Sequence, residues 1–267
     1  MSRRYTYIKW LAVLTLLLVA GCGAEKTQSQ KNAESSEPVT LTVSAAASLT
    51  DALQQLQQNF EQDHSDIKLA FNFGASGALQ RQIEQGAPVD LFLSAAEKNM
   101  QALVSERIIA PDQQQDWLKN TLVAIVPQNA KLNIHNIQDL KQPAVKRIAI
   151  GIPDSVPAGH YAQEALHSAG LWDELSDKMV QGKDVRQVLQ YTETNNVDIG
   201  FVYRTDALAS KKVKIAFEVE TGSYSPIVYP IAILKSTKNI DAAQSFYDYL
   251  QTPEALKILS SYGFDAA

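Results

Sequence analysis

Ala45-Ala46-Ala47-Ser48-Leu49-Thr50-Asp51-Ala52-Leu53 joins two stretches of different period. Before it, Val39 to Ser44 is a short β-type run. After it, Leu49, Ala52, Leu53, Leu56 and Phe60 recur at the 3.6-residue spacing of a helix with one buried face. Ser48 stands where an N-cap belongs, and Asp51 three residues on completes the pattern of a capping box. The alanines before Ser48 leave the backbone unshielded. A strand end, a small-residue turn and a helix N-terminus together make an anion seat, because unpaired N–H groups and the helix dipole both favour negative charge there. A serine hydroxyl can accept from the helix and still donate to a ligand, so capping and binding are compatible roles for Ser48.

The pattern recurs along the chain. Ile67 to Phe73 is strand-like and runs into Gly74-Ala75-Ser76-Gly77-Ala78, after which a helix with Leu79 and Ile83 inward is stopped by Gly86 and Pro88. This is not a nucleotide-phosphate loop, since Gln80 and Arg81 stand where its Lys and Ser/Thr would be. Val156-Pro157-Ala158-Gly159 presets another helix start with proline, with Tyr161, Ala162, Ala165 and Leu166 inward and Gly170 as the stop. Asp184-Val185-Arg186 opens a further helix, with Asp184 as N-cap and Val185, Val188, Leu189 and Thr192 on one face. Val197 to Tyr203 is a strand ending in tyrosine. Val89–Ser94, Thr121–Val126, Arg147–Gly151 and Tyr229–Leu234 read as strands. Ala95–Val104, Asp241–Leu250 and the segment after Thr252-Pro253 read as helices. This alternation predicts an α/β fold with largely parallel sheets. Lys211-Lys212-Val213-Lys214 reads as a solvated loop, and Trp117 and Trp172 as packing residues.

The chain has 267 residues, 45% hydrophobic and 20% charged, which is enough for two modest domains. A net charge of −5 without a long basic run speaks against a nucleic-acid partner. Residues 1–22 have the form of a leader: Arg3, Arg4 and Lys9 precede an apolar run, Trp10 to Ala20, that is short for a membrane span. It ends in Val19-Ala20-Gly21-Cys22, which resembles the lipobox of bacterial lipoproteins. Cys22, the one cysteine, is then the lipidation site, and no disulfide within the chain is possible. Residues 23–38 are polar and without periodicity, as expected of a disordered tether.

In combination, Ala45 to Ala52, Gln82 to Phe92, Val156-Pro157-Ala158-Gly159, Asp184-Val185-Arg186 and Phe246-Tyr247-Asp248-Tyr249-Leu250 resemble the molybdate-binding subunit of molybdate ABC transporters, the ModA family. The resemblance covers about Val39 to Ala267. It implies a two-lobed periplasmic-binding-protein fold of type II, each lobe a mostly parallel sheet flanked by helices. Residues 39–120 with 229–267 would form lobe 1 and residues 121–228 lobe 2, with crossings near Asn120-Thr121 and Val228-Tyr229. The family holds its oxyanion with two Ser hydroxyls, backbone N–H groups and a Tyr hydroxyl. These fall on Ser48, Ser76, Ala158, Val185 and Tyr203, the first two in lobe 1. The ligand implied is molybdate or tungstate, with molybdenum present only as the oxyanion. The resemblance implies no cofactor and no enzymatic activity. It also implies a monomer outside the cytoplasm, anchored to the membrane by lipid at Cys22 and delivering to an ABC permease.

Other readings follow from the residues. Sulfate is also a bare tetrahedral dianion. A hydrolase needs a serine, a base and an orienting acid. The four histidines are His64, His135, His160 and His167, and no Gly-x-Ser-x-Gly occurs. His160, beside Gly159, reads as an exposed residue at a helix start. His160 and His167 are too few for a metal-cation site. An iron site would want paired tyrosines, and Tyr191 and Tyr203 form no such pair in sequence.

Overall fold

A computed structural model describes residues 37–267. The leader, most of the tether and Cys22 lie outside them.

The chain runs β1 (Val39–Ala46), α1 (Thr50–Asp63), β2 (Ile67–Gly74), α2 (Ser76–Glu84), β3 (Leu91–Leu93), α3 (Glu97–Ser105) and β4 (Gln114–Lys119). It continues through β5 (Leu122–Pro127), β6 (Ile148–Gly151), α4 (Pro157–Ser168), β7 (Met179–Gly182), α5 (Val185–Glu193), β8 (Ile199–Tyr203), α6 (Arg204–Leu208) and β9 (Val213–Glu218). It closes with β10 (Val228–Ile233), α7 (Ile240–Tyr249), α8 (Pro253–Ser261) and β11 (Asp265–Ala266). Two sheets result, ordered β11-β4-β10-β3-β1-β2 and β7-β6-β8-β5-β9.

The sheets are mixed in pairing yet mostly parallel in direction. In the first, β1 pairs in parallel with β2 and β3, while β10 runs against β3 and β4, and β11 against β4. In the second, β6 is parallel to β7 and β8, and β5 is antiparallel to β8 and β9. Only β10 and β11 are reversed in one sheet and only β5 in the other. The reason is topological. β5 and β10 are the strands by which the chain enters a sheet from the other one, so they start at the cleft where the remaining long strands end.

Core patterning is as the helical spacing demands. Ala52, Leu53, Leu56 and Phe60 of α1 are buried, and Phe60 meets Phe246 edge-on at 5.0 Å. Each such large apolar side chain contributes about 1.5–3 kcal/mol by burial. On α5 the buried residues are Val185, Val188, Leu189 and Thr192. The start of α4 sits directly on β6: a Cβ at Gly159 would fall on the Gly151 carbonyl. Only glycine permits that approach.

Several local expectations are corrected. Ser48 caps nothing: it lies in a short 3₁₀ turn, Ala47–Leu49, and makes no capping bond there, while α1 starts at Thr50. Asp51 forms no capping box, because it pairs with Arg186 instead. Lys211 to Lys214 is not all loop, since β9 begins at Val213 and pairs with β5. Strands β4, β7 and β11 carried too little apolar signal to be read, being edge or near-edge strands that expose one side. Asp184 does cap α5, accepting from the Gln187 N–H at 2.8 Å. Trp117 is buried and donates to the Leu250 carbonyl.

Candidate functional site

All five residues carried over from the resemblance line one small cavity. It lies beyond the carboxyl ends of β1, β2 and β8, where open α/β sheets hold ligands. Ser48, Ser76, Ala158, Val185 and Tyr203 are all buried. None of the twelve lining residues carries a charge. A roomier groove beside Asp90 lacks this character, and the Asp90 carboxylate there is already occupied by the Thr42 N–H and the Thr237 hydroxyl.

Each candidate donor is positioned by its own element. Ser76 is the first residue of α2, and its Oγ accepts from the Ala95 N–H at 2.9 Å. With that lone pair engaged, its own proton is free to donate into the cavity. Ala158 is the second residue of α4 and Val185 the first of α5. N–H groups in the first turn of a helix have no carbonyl partner within it, and both sit at the positive end of the helix dipole. Pro157 has no N–H, so Ala158 offers the first donor of α4. Tyr203 ends β8, and its hydroxyl is buried without a partner. Burial pushes the Tyr203 phenol well above its ordinary range, so it stays protonated and able to donate.

Charged groups gather outside the cavity, where the two halves touch. Arg186 Nη2 lies 2.6 Å from Asp51 Oδ2, and its Nε donates to the Ala47 carbonyl at 3.2 Å. The same Nε is 3.2 Å from Asp206 Oδ1, a contact that is an ion pair and not an aligned hydrogen bond. Burial pushes the Asp206 carboxyl up to about 6, with Arg186 pulling it back down. For Arg186, burial opposes the charge, but Asp206 and Asp51 outweigh it and raise the guanidinium. A second contact across the cleft is the Gly77 N–H donating to the Ser155 carbonyl at 3.0 Å. The two halves are closed on each other.

His160 does not line the cavity. Its Nε2 lies 3.3 Å from Glu164, and burial, then the nearby Lys98, holds its pKa below the usual value. Among the described residues no group of three or more His, Cys, Asp and Glu could hold a metal ion.

Three polar residues at the site were not readable as such. Tyr229 Oη lies 2.9 Å from Ser48 Oγ, 181 positions away in the chain. Asn120 reaches Tyr229 and Thr205. Arg186 reads in sequence as a support flanking the Val185 position, and its cross-cleft partners are visible only in three dimensions.

The family model described as bacterial extracellular solute-binding protein matches residues 41–265. The chain is 36% identical over 261 residues to the Haemophilus influenzae protein named molybdate-binding protein ModA, covering 97% of this chain and 99% of that one. The chain belongs to the ModA family of bacterial extracellular solute-binding proteins. ModA proteins are solute-binding proteins, not enzymes. A second relative is YvgL of Bacillus subtilis (strain 168), named as an ABC transporter substrate-binding lipoprotein. It is 49% identical over 261 residues, covering 97% of this chain and 98% of its own length. The solved structure of the periplasmic molybdate-binding protein of Azotobacter vinelandii matches with a TM-score of 0.77 at 26% identity, over 84% of this chain and 98% of that one. The architecture is thus the two-lobed type II binding-protein fold of the ModA family.

Proposed function

We propose that this chain binds molybdate, and also tungstate, in the cavity between its lobes, outside the cytoplasm, and delivers it to an ABC importer. Ser48, Ser76 and Tyr203 would donate through hydroxyls and Ala158 and Val185 through backbone N–H groups. The observation that carries this reading is the cavity lining: hydroxyls and helix-start amides from both halves, with no charged side chain.

Such a lining suits a bare tetrahedral dianion. Molybdate is fully deprotonated near neutral pH, so its oxygens only accept. Hydrogen phosphate carries a proton that needs an acceptor, and the lining offers no carboxylate. Sulfate matches in charge but is smaller, and leaves some donors unpaired at about 1–3 kcal/mol each. Charge-assisted hydrogen bonds contribute roughly 1.5–3 kcal/mol apiece. Five to seven of them, less the costs of desolvation and closure, are compatible with a dissociation constant on the order of nanomolar to micromolar. No cofactor is required.

On this reading residues 39–120 with 229–267 form lobe 1 and residues 121–228 lobe 2, hinged near Asn120-Thr121 and Val228-Tyr229. Ligand favours closure through contacts made only in the closed state, and the permease reads that shape. Residues 1–22 act as a leader, with Cys22 lipidated and the chain otherwise monomeric. The relative named as a lipoprotein supports the anchor.

The test is a melting-temperature panel with molybdate, tungstate, sulfate and phosphate. At about 100 times its dissociation constant, a ligand adds roughly 2.7 kcal/mol of stability. For a chain of this size that is on the order of 5–10 °C. The expected result is a shift with the two oxometallates alone. An equal shift with sulfate or phosphate, or none with molybdate, would overturn the reading.

A further inference from the structure

We propose that Tyr229, braced by Asn120, fixes the direction of the Ser48 hydroxyl, making it a donor to the ligand and setting the cavity against protonated oxyanions. This rests on the proposed oxyanion site and adds a positioning residue behind it.

The argument is one of hydrogen-bond accounting. Asn120 Oδ1 accepts from the Thr121 N–H at 2.9 Å, which turns its amide nitrogen toward Thr205 Oγ1 at 3.0 Å and Tyr229 Oη at 3.4 Å. An amide NH₂ can only donate, so the phenol oxygen accepts there. The phenol has a single proton left to place. Its one remaining partner within 3.5 Å among the described residues is Ser48 Oγ at 2.9 Å, the neighbouring Tyr203 hydroxyl making no hydrogen bond. Were Ser48 to donate to Tyr229 instead, the phenol proton would be buried without an acceptor, since Tyr229 is fully buried. Such an orphaned donor is strongly disfavoured. Tyr229 therefore donates to Ser48.

The consequence falls on the ligand. With its lone pair engaged by Tyr229, Ser48 directs its own proton into the cavity. Ser76 is held the same way by the Ala95 N–H. Both serines then present hydrogen, and each already has one of its two lone pairs taken by a protein donor, which disfavours a protonated oxyanion. Tyr229 itself is locked by packing, edge-on to Tyr203 at 5.6 Å and to Phe264 at 5.5 Å. Its strand and Asn120 also sit at the two chain crossings, so the orienting chain is anchored where the lobes join.

The experiment is a double-mutant cycle read by calorimetric titration with molybdate, and by competition with inorganic phosphate. Tyr229→Phe should weaken molybdate about tenfold and lower the molybdate-to-phosphate selectivity by at least as much. In a Ser48→Ala background the same change should have no further effect, because Tyr229 acts only through that hydroxyl. Additive losses, an unchanged selectivity, or no loss from Tyr229→Phe would overturn the proposal. If Ser48→Ala alone left molybdate binding intact, the site reading itself would fail, which is a separate outcome. Should Tyr229→Phe not fold, Asn120→Ala keeps the phenol and replaces it in the cycle. A roughly threefold loss that vanishes in the Ser48→Ala background is expected there, and a loss that persists in that background would overturn the proposal.

Discussion

The two halves of the cavity solve one problem by different means. The first half offers side-chain hydroxyls, Ser48 and Ser76, and each is held in orientation by a hydrogen bond it accepts, from Tyr229 or from the Ala95 N–H. The second half offers Ala158 and Val185, whose side chains have no polar atom, so only the N–H groups of α4 and α5 can serve. A hydroxyl rotates and needs a partner behind it to become a dependable donor. An amide at a helix start is oriented by the helix itself. The first half therefore depends on residue identity at the donor and behind it, and the second depends on where two helices begin.

The largest expected effects break this comparison directly. Ser76→Ala deletes a donor in the first half, and Val185→Pro deletes one in the second. Proline is favoured at the first position of a helix, and Asp184 before it is already extended at φ −156°, so α5 should survive. Each change should cost about ten- to a hundredfold in molybdate affinity, at 1.4 kcal/mol per decade. Val185→Ala keeps the N–H and should cost less than about threefold, the small loss coming from packing. Titration calorimetry distinguishes the two. If Val185→Ala were as damaging as Val185→Pro, the valine side chain, not its amide, would carry the contact.

A smaller effect is expected where the halves meet. A Cβ at Gly77 would stand 2.8 Å from the Ser155 carbonyl oxygen across the cleft. Gly77 lies in the first turn of α2, where alanine is the better helix former by roughly 0.5–1 kcal/mol. Gly77→Ala should thus hold or raise the melting temperature of the ligand-free protein while weakening molybdate several-fold. Those opposite signs separate closure from folding. A fall in both measurements would mean that Gly77 serves the fold of the first half alone.

A further effect falls on stability and leaves the ligand contacts untouched. Asp206, in the second half, is held at about 6 by burial against an ordinary 3.8. A carboxyl raised by the fold contributes stability that is complete below the unfolded value and is lost as pH rises through the folded one. The span from 3.8 to about 6 corresponds to at most about 3 kcal/mol. Asp206→Asn removes this titration. The melting temperature of the wild type, measured against that variant, should fall as pH rises from about 4 to about 7. Parallel curves would show that Arg186 compensates fully for the burial of the charge.

Much of the architecture was legible because it rests on local periodicity. The inward faces of α1, α4 and α5 match residue for residue the spacing of Leu53, Leu56 and Phe60, of Tyr161, Ala162, Ala165 and Leu166, and of Val185, Val188, Leu189 and Thr192. Where the apolar signal was thin, as in β4, β7 and β9, strands went unread or were taken for loop. Most of their residues are half-buried or exposed, and their pairing partners lie elsewhere in the chain. Ser48 shows the limit most clearly. Its local sequence says N-cap, yet the hydroxyl turns away from α1 to meet Tyr229, because that buried phenol has no other acceptor.

The amino-acid order alone determined the alternation of strands and helices, the small-residue turns before the first two helix starts, and a resemblance reaching from Val39 to Ala267. These are properties of neighbouring residues, and propensity, spacing and motif record them directly. Folding decided that the five candidate residues share one uncharged cavity and that Arg186 directs its charge to Asp51 and Asp206 beyond it. It also decided that Tyr229 stands behind Ser48. The Arg186–Asp51 and Ser48–Tyr229 contacts join residues more than a hundred positions apart, and no local preference encodes a partner that only packing brings within reach.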